Sequence, residues 1–159
     1  MIFLAPWDAF DYAFKHGPSE ETREVACIDP FNAYSYAYYV DKCPREDTRK
    51  AACRNTQWTY YYARDIDKCS RDDTREAAWK EPYFAFAYAI DVDKCPHEET
   101  RSAVCFSSGF AYLYARDIDK CPADENWLAI KGSIYEEGYK EMFNELFKDQ
   151  ISCKRFYIW

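Results

Sequence analysis

Thr-Arg occurs at Thr22-Arg23, Thr48-Arg49, Thr74-Arg75 and Thr100-Arg101, always 26 residues apart. Asp-Lys-Cys recurs in phase with it at Asp41-Lys42-Cys43, Asp67-Lys68-Cys69, Asp93-Lys94-Cys95 and Asp119-Lys120-Cys121. Tyr-Ala keeps the same spacing at Tyr36-Ala37, Tyr62-Ala63, Tyr88-Ala89 and Tyr114-Ala115. A chain with one period in three independent markers is an array of one supersecondary unit, and that excludes most folds at the outset.

The unit reads as two short helices. Ala33, Tyr36, Ala37 and Val40 fall at i, i+3, i+4 and i+7, a single apolar stripe. Pro30 and Pro82 fit a first helical turn, where the missing N–H costs nothing. Pro44, Pro96 and Pro122 mark the start of the second helix, followed by acids such as Glu46-Asp47 and Glu98-Glu99 at the positive end of its dipole. Thr48, Ala51 and Ala52 form its buried stripe. A strand reading would place these prolines within a sheet. The expected fold is all-α, a solenoid-like stack of about five 26-residue two-helix repeats, because one such unit cannot bury its own apolar face.

The expected organisation is a repeat array over 1–132 followed by a C-terminal capping helix and apolar tail over 133–159. Ser133 and Glu136 suggest a capping box. Tyr135, Tyr139, Met142, Phe143, Leu146 and Phe147 keep helical spacing over 133–149. The chain ends on Phe156-Tyr157-Ile158-Trp159, expected to dock on its own domain or, failing that, to bind a partner.

The pattern P-x-x-A-Y-x-Y-A-x-x-[VI]-x-x-x-x-P-x-x-[ED], clearest at Pro30 to Asp47 and Pro82 to Glu99, resembles a tandem helical repeat of bacteriophage and bacterial proteins. The resemblance covers roughly residues 6–131 and departs from that family at the Asp-Lys-Cys turn, where Gly-Arg-aromatic is more usual. It implies a phage origin and carries no catalytic residue.

Net charge is −7, which argues against direct nucleic-acid binding, and no apolar run approaches a membrane span of about 18 residues. The N-terminus lacks a basic signal-peptide region, so a cytoplasmic protein is expected, in the host cytoplasm if phage-encoded. Only 4 glycines and 2 histidines are present, with no glycine-rich phosphate loop, and the acids follow the repeat. A repeated residue makes a poor catalytic group, so no enzyme, cofactor or metal is expected. Seven of the eight cysteines are repeat-locked, Cys43, Cys69, Cys95 and Cys121 in the turn and Cys27, Cys53 and Cys105 near the end of the second helix. They read as reduced, packed, small hydrophobes.

The expected task is a non-catalytic scaffold for protein–protein interaction, with a protein partner of basic character. One alternative is a phage-encoded inhibitor of a host defence or nucleic-acid-processing protein, working through an acidic face. Another is a small anionic ligand binder. The candidate interaction surface is the ladder Tyr34, Tyr60, Phe86 and Tyr112 with the variable position Tyr39, Asp65, Asp91 and Asp117. Arg23, Arg49, Arg75 and Arg101 form a second ladder that either holds an anion or pairs with the Asp at the end of the first helix.

Overall fold

A computed structural model describes residues 5–144. Every regular element among them is helical, and the helices alternate between two kinds. First helices are α1 (Pro6–His16), α3 (Pro30–Ser35), α5 (Thr56–Tyr62), α7 (Pro82–Tyr88), α9 (Ser108–Tyr114) and α11 (Glu136–Met142). Second helices are α2 (Glu20–Ala26), α4 (Glu46–Ala52), α6 (Asp72–Ala78), α8 (Glu98–Val104) and α10 (Asp124–Ile130). Each second helix packs between the first helix of its own unit and that of the next, while the first helices also stack directly on one another. The array is thus solenoid-like, with the first helices as its tighter layer.

Local chemistry sets the boundaries. Pro6, Pro30 and Pro82 occupy the first turn of α1, α3 and α7. Asp29 and Asn55 cap α3 and α5 by accepting from the backbone N–H of Asn32 at 2.9 Å and of Trp58 at 3.2 Å. Each second helix carries acids in its first turn. Pro44, Pro96 and Pro122 stand one residue before the N-cap rather than within the helix. They fix the entry of the chain while Arg45, His97 and Ala123 take the extended cap position.

Four first helices end in a way the apolar stripe does not announce. α3, α5, α7 and α9 widen into π-helical turns, π1 (Tyr36–Asp41), π2 (Ala63–Asp67), π3 (Ala89–Asp93) and π4 (Ala115–Asp119). Lys68, Lys94 and Lys120 close the last three by donating their N–H to Ala63, Ala89 and Ala115 at 2.8–2.9 Å. In α-helical winding a residue five positions on lies about 140° around the axis. The wider turn brings it back toward the starting face, so the Asp41 side chain and Tyr36 are both fully buried.

Lys42, Lys68, Lys94 and Lys120 then reverse the chain in the left-handed region, with φ between 52° and 55°. A side chain there costs roughly 1 kcal/mol or more, a cost glycine avoids. Lys68→Gly is therefore expected to raise stability by about 0.5 kcal/mol after the unfolded-state entropy of glycine is deducted, and the fourfold Lys→Gly variant by about 2 kcal/mol. Urea midpoints measure this; a lowered midpoint in each single variant would refute the strain account.

One ladder locks unit to unit. Tyr36, Tyr62, Tyr88 and Tyr114 are buried, and each hydroxyl reaches back to the N-cap of the preceding second helix. The Tyr62 hydroxyl accepts from the Arg45 N–H at 3.0 Å, lies 3.0 Å from the Arg45 carbonyl oxygen, and meets the Thr48 hydroxyl at 2.8 Å. Tyr36 repeats the contact at Ser19 and Thr22, Tyr88 at Arg71 and Thr74, and Tyr114 at His97. Phe10 holds the same position in α1, where no earlier second helix exists among the described residues to receive a hydroxyl.

The region expected as a long cap is another repeat unit's first helix. α11 puts Tyr139 into the ladder, fully buried, its hydroxyl accepting from Ala123 N–H at 3.1 Å. The capping box is not formed: Glu136 instead accepts from Gly132 N–H at 2.6 Å, and Ser133 from Tyr135 N–H at 3.2 Å. Leu146, Phe147 and the Phe156–Trp159 tail lie outside the described residues.

Candidate interaction surface

The Arg ladder is occupied from within. Arg23 forks onto Asp41 at 2.8 and 2.9 Å, and Arg101 onto Asp119 at the same distances. Arg75 reaches both oxygens of Asp93 and is joined by Ser70, which replaces the turn proline in that unit. Arg49 is divided between Asp67 at 3.3 Å and Asp73 at 3.0 Å. Each Asp belongs to the unit after its Arg, so the pairs run between units, and bidentate geometry sets the angle between helices as well as the charge balance. All four guanidinium groups of this ladder are thus engaged by carboxylates of the array itself.

The described cysteines divide into two classes, which corrects the expectation that all are packed. Cys43, Cys69, Cys95 and Cys121 are exposed, because the left-handed lysine before each turns the chain outward. Cys27, Cys53 and Cys105 are half-buried, and burial pushes their thiols up to about 12, 11 and 11. Since the thiolate is the reacting form, a maleimide or disulfide reagent near neutral pH is expected to label the four turn cysteines roughly tenfold faster or more. Peptide mapping separates them; equal rates at Cys43 and Cys53 would refute this.

The tyrosine and acid ladders singled out in the sequence meet each other. The Tyr34 hydroxyl donates to Asp65 at 3.0 Å, and Tyr60 bonds Asp91 in the same way one unit on. Phe86 has no hydroxyl for Asp117, which takes a fork from its neighbour Arg116 at 2.7 and 2.8 Å instead. Tyr112 stacks on Tyr135 at 5.5 Å, with its hydroxyl beside Gly138. Burial, with the Asp65 and Asp91 bonds, raises both phenols, Tyr60 to about 12. Much of the expected surface is thus joinery between first helices, and of its members Tyr39 is half exposed.

The open surface overlaps it and extends onto further aromatic residues. Ring contacts run without a break from α1 to α9. Trp7 meets Phe10 at 5.2 Å, Phe10 meets Phe14 at 6.0 Å, and Phe14 meets Tyr39 at 6.4 Å. Tyr39 meets Tyr38 at 4.8 Å, Tyr38 meets Tyr34 at 5.8 Å, and Tyr34 meets Trp58 and Tyr61 at 5.4 and 6.2 Å. The path continues through Tyr60, Phe84 and Tyr83 to Phe110. Trp7, Phe14, Tyr39 and Tyr83 are 50–60% exposed, and Phe31 and Tyr38 about 40%. Arg64 lies over Tyr60 and Tyr61 at 5.1 and 4.8 Å while forking onto Asp65, a polar clasp in the middle of the strip.

Comparison with known proteins adds no name. No family model, curated protein or solved structure matches this chain. Among the described residues no group of three His, Cys, Asp or Glu side chains is placed to hold a metal ion, and no helix is long and apolar enough to cross a membrane.

The surface is therefore read from its own chemistry. A network of large rings whose outer members are half exposed, carrying hydroxyls and indole N–H groups, has the composition of a protein-binding patch, apolar in its body and able to hydrogen-bond at its tips. The rings are held by their neighbours, so little side-chain entropy is lost when a partner covers them. Tyr61 and Tyr83 fall at positions where other units carry Ser, Ala or Leu and Phe, Gln or Gly, so the sequence marks them only by a local density of aromatic residues. Trp58 and Phe110 carry a signal that was missed, since Asn32, Trp58, Phe84 and Phe110 stand 26 residues apart and three of the four are aromatic.

Proposed function

We propose that the protein is a non-catalytic helical-repeat scaffold that binds a protein partner along the first-helix layer. The observation that carries this reading is the continuous network of ring contacts from α1 to α9, with exposed rings at Trp7, Phe14, Phe31, Tyr38, Tyr39 and Tyr83. Its rigid backing comes from the buried tyrosine and Arg–Asp ladders, which use the repeat-constant residues and leave the variable ones for recognition. Strips of this kind concentrate binding energy in a few aromatic anchors.

Site-specific photocrosslinking tests the reading. Benzoylphenylalanine placed at Tyr39 or Tyr83 is expected to capture the same protein from host lysate, whereas the probe at Glu76, exposed on α6, captures none of it. Capture of that protein from Glu76 at equal yield, or none from Tyr39 and Tyr83, would sink the proposal.

A second reading, an inhibitor that covers a basic site, draws on the exposed acid pairs that open each second helix, such as Glu20-Glu21, Asp72-Asp73 and Glu98-Glu99. It predicts that charge reversal at Glu98 and Glu99 abolishes capture while Tyr83→Ala leaves it intact.

A further inference from the structure

The four lysines of the turn stand apart from every other feature of the array. Each is exposed and held at the same left-handed φ, so the side chains leave the backbone in one repeated direction. The π-helical turns that carry them contact one another in sequence, π1 on π2, π2 on π3 and π3 on π4, which sets the lysines in a row one unit apart.

Their neighbours leave them unpaired. The buried acid before each lysine is engaged by an Arg, Asp65 by Tyr34 and Arg64, and Asp91 by Tyr60. Among the described residues no carboxylate lies within ion-pair distance of Lys42, Lys68, Lys94 or Lys120; Lys15, Lys50 and Lys140 are paired, while Lys80 and Lys131 are also exposed and unpaired but stand outside this row. Compensation of the helix dipole explains a cation at this end of a helix but asks only for proximity. It does not explain the side chain's persistence at a backbone position that favours glycine.

Two equivalent clefts lie between the lysines. One of about 200 Å³ is lined by Tyr38, Ile66, Asp65 and the pair Lys42 and Lys68. The next, about 180 Å³, is lined by Arg64, Asp91, Val92 and the pair Lys68 and Lys94. Each offers two ammonium groups from consecutive units; the first has an apolar wall at Tyr38 and Ile66, the second a mostly polar lining, and Tyr38 joins the first to the aromatic strip.

We propose that this row binds an extended acidic segment of the partner protein, placing one carboxylate beside each lysine. The inference rests on the scaffold reading and names the chemistry of its partner; it replaces a basic partner with an acidic one at this edge. Stacked helices repeat at roughly 8–10 Å, and a polyproline II chain advances about 9.3 Å every three residues. A segment with an acid at every third position therefore meets the lysines in register while its other residues cover the apolar wall of the first cleft. The segment is a peptide rather than a nucleic acid because its carboxylates fall only beside the lysines, whereas a continuous phosphate backbone would also bring negative charge against Asp65 and Asp91 in the clefts.

Fluorescence anisotropy on the full chain decides it, with a labelled peptide of repeated Pro-Pro-Glu as the probe. Binding that weakens with salt is expected, reduced roughly tenfold or more by K68Q/K94Q and several-fold when the repeat is lengthened to Pro-Pro-Pro-Glu. Circular dichroism of K68Q/K94Q checks that it stays folded, and Lys68→Gly, expected to be more stable, must lose affinity as well. No binding of Pro-Pro-Glu, unchanged affinity in K68Q/K94Q, or tighter binding of oligothymidylate than of the peptide would each overturn the proposal. If crosslinking from Tyr39 and Tyr83 still identifies a partner in that event, the scaffold reading survives and the lysine row alone is refuted.

Discussion

Tyr62→Ala is expected to cost about 4 kcal/mol, and Tyr62→Phe about 1–2 kcal/mol, with the larger effect splitting the unfolding transition. The ring is fully buried against Ala37 and Ala52, so truncation removes its transfer energy and opens a cavity in a seam between units. The hydroxyl is the sole partner the structure gives the Arg45 N–H, so Phe leaves a part-buried donor unmet while the ring stays packed. In a one-dimensional array the units on either side of a weakened seam lose their coupling, and two transitions replace one. Urea unfolding followed by circular dichroism reads both quantities. If Tyr62→Phe matches wild type within a few tenths of a kcal/mol, the backward-reaching hydroxyl is not a structural bond.

The Arg–Asp seams should respond unequally to the same substitution. Asp119→Asn is expected to cost about 3–5 kcal/mol, since it breaks a buried bidentate pair that Asn126 also supports at 2.7 Å and leaves Arg101 uncompensated. Asp67→Asn is expected within about 1 kcal/mol of wild type. Arg49 keeps Asp73, and the second oxygen of Asp67 is buried with no partner among the described residues. Burial holds the Asp67 carboxyl above its ordinary value despite Arg49. Between the ordinary carboxylate value of about 3.9 and that raised value the folded state binds more protons than the unfolded one. The stability this group contributes therefore falls as pH rises through that window and is flat above it. Urea midpoints between pH 4 and 7 check the difference, and an Asp67→Asn as damaging as Asp119→Asn contradicts it.

These contrasts show which parts of the molecule could be read in advance. Pro30, Tyr36-Ala37 and Thr48 report the helices and their buried faces directly, because each acts through local geometry and period. The π-helical ends were not legible: their signal is a left-handed residue, and here it is lysine, a type that carries no such signature, in place of glycine. The outward turn of Cys43 and its equivalents follows from that same hidden geometry. The α11 unit was obscured by a spacing of 25 rather than 26 between Tyr114 and Tyr139 and by the loss of Tyr-Ala. For the surface, Tyr34 and Asp65 were visible as positions but not as partners, since a bond 31 residues apart depends on how far one unit is displaced from the next.

The direction in which the tyrosine hydroxyls point also orders the assembly in time. At the start of each second helix the N-cap N–H donates to a tyrosine hydroxyl 16 or 17 residues further along the chain. During synthesis a new first helix emerges onto a seat that already exists and finishes the unit before it, while its own second helix waits for the next. At roughly 5–20 residues per second one such step takes about one to five seconds, long compared with helix formation. The chain is built to zip from its beginning, with a single unfinished seam at any moment rather than a whole array awaiting collapse.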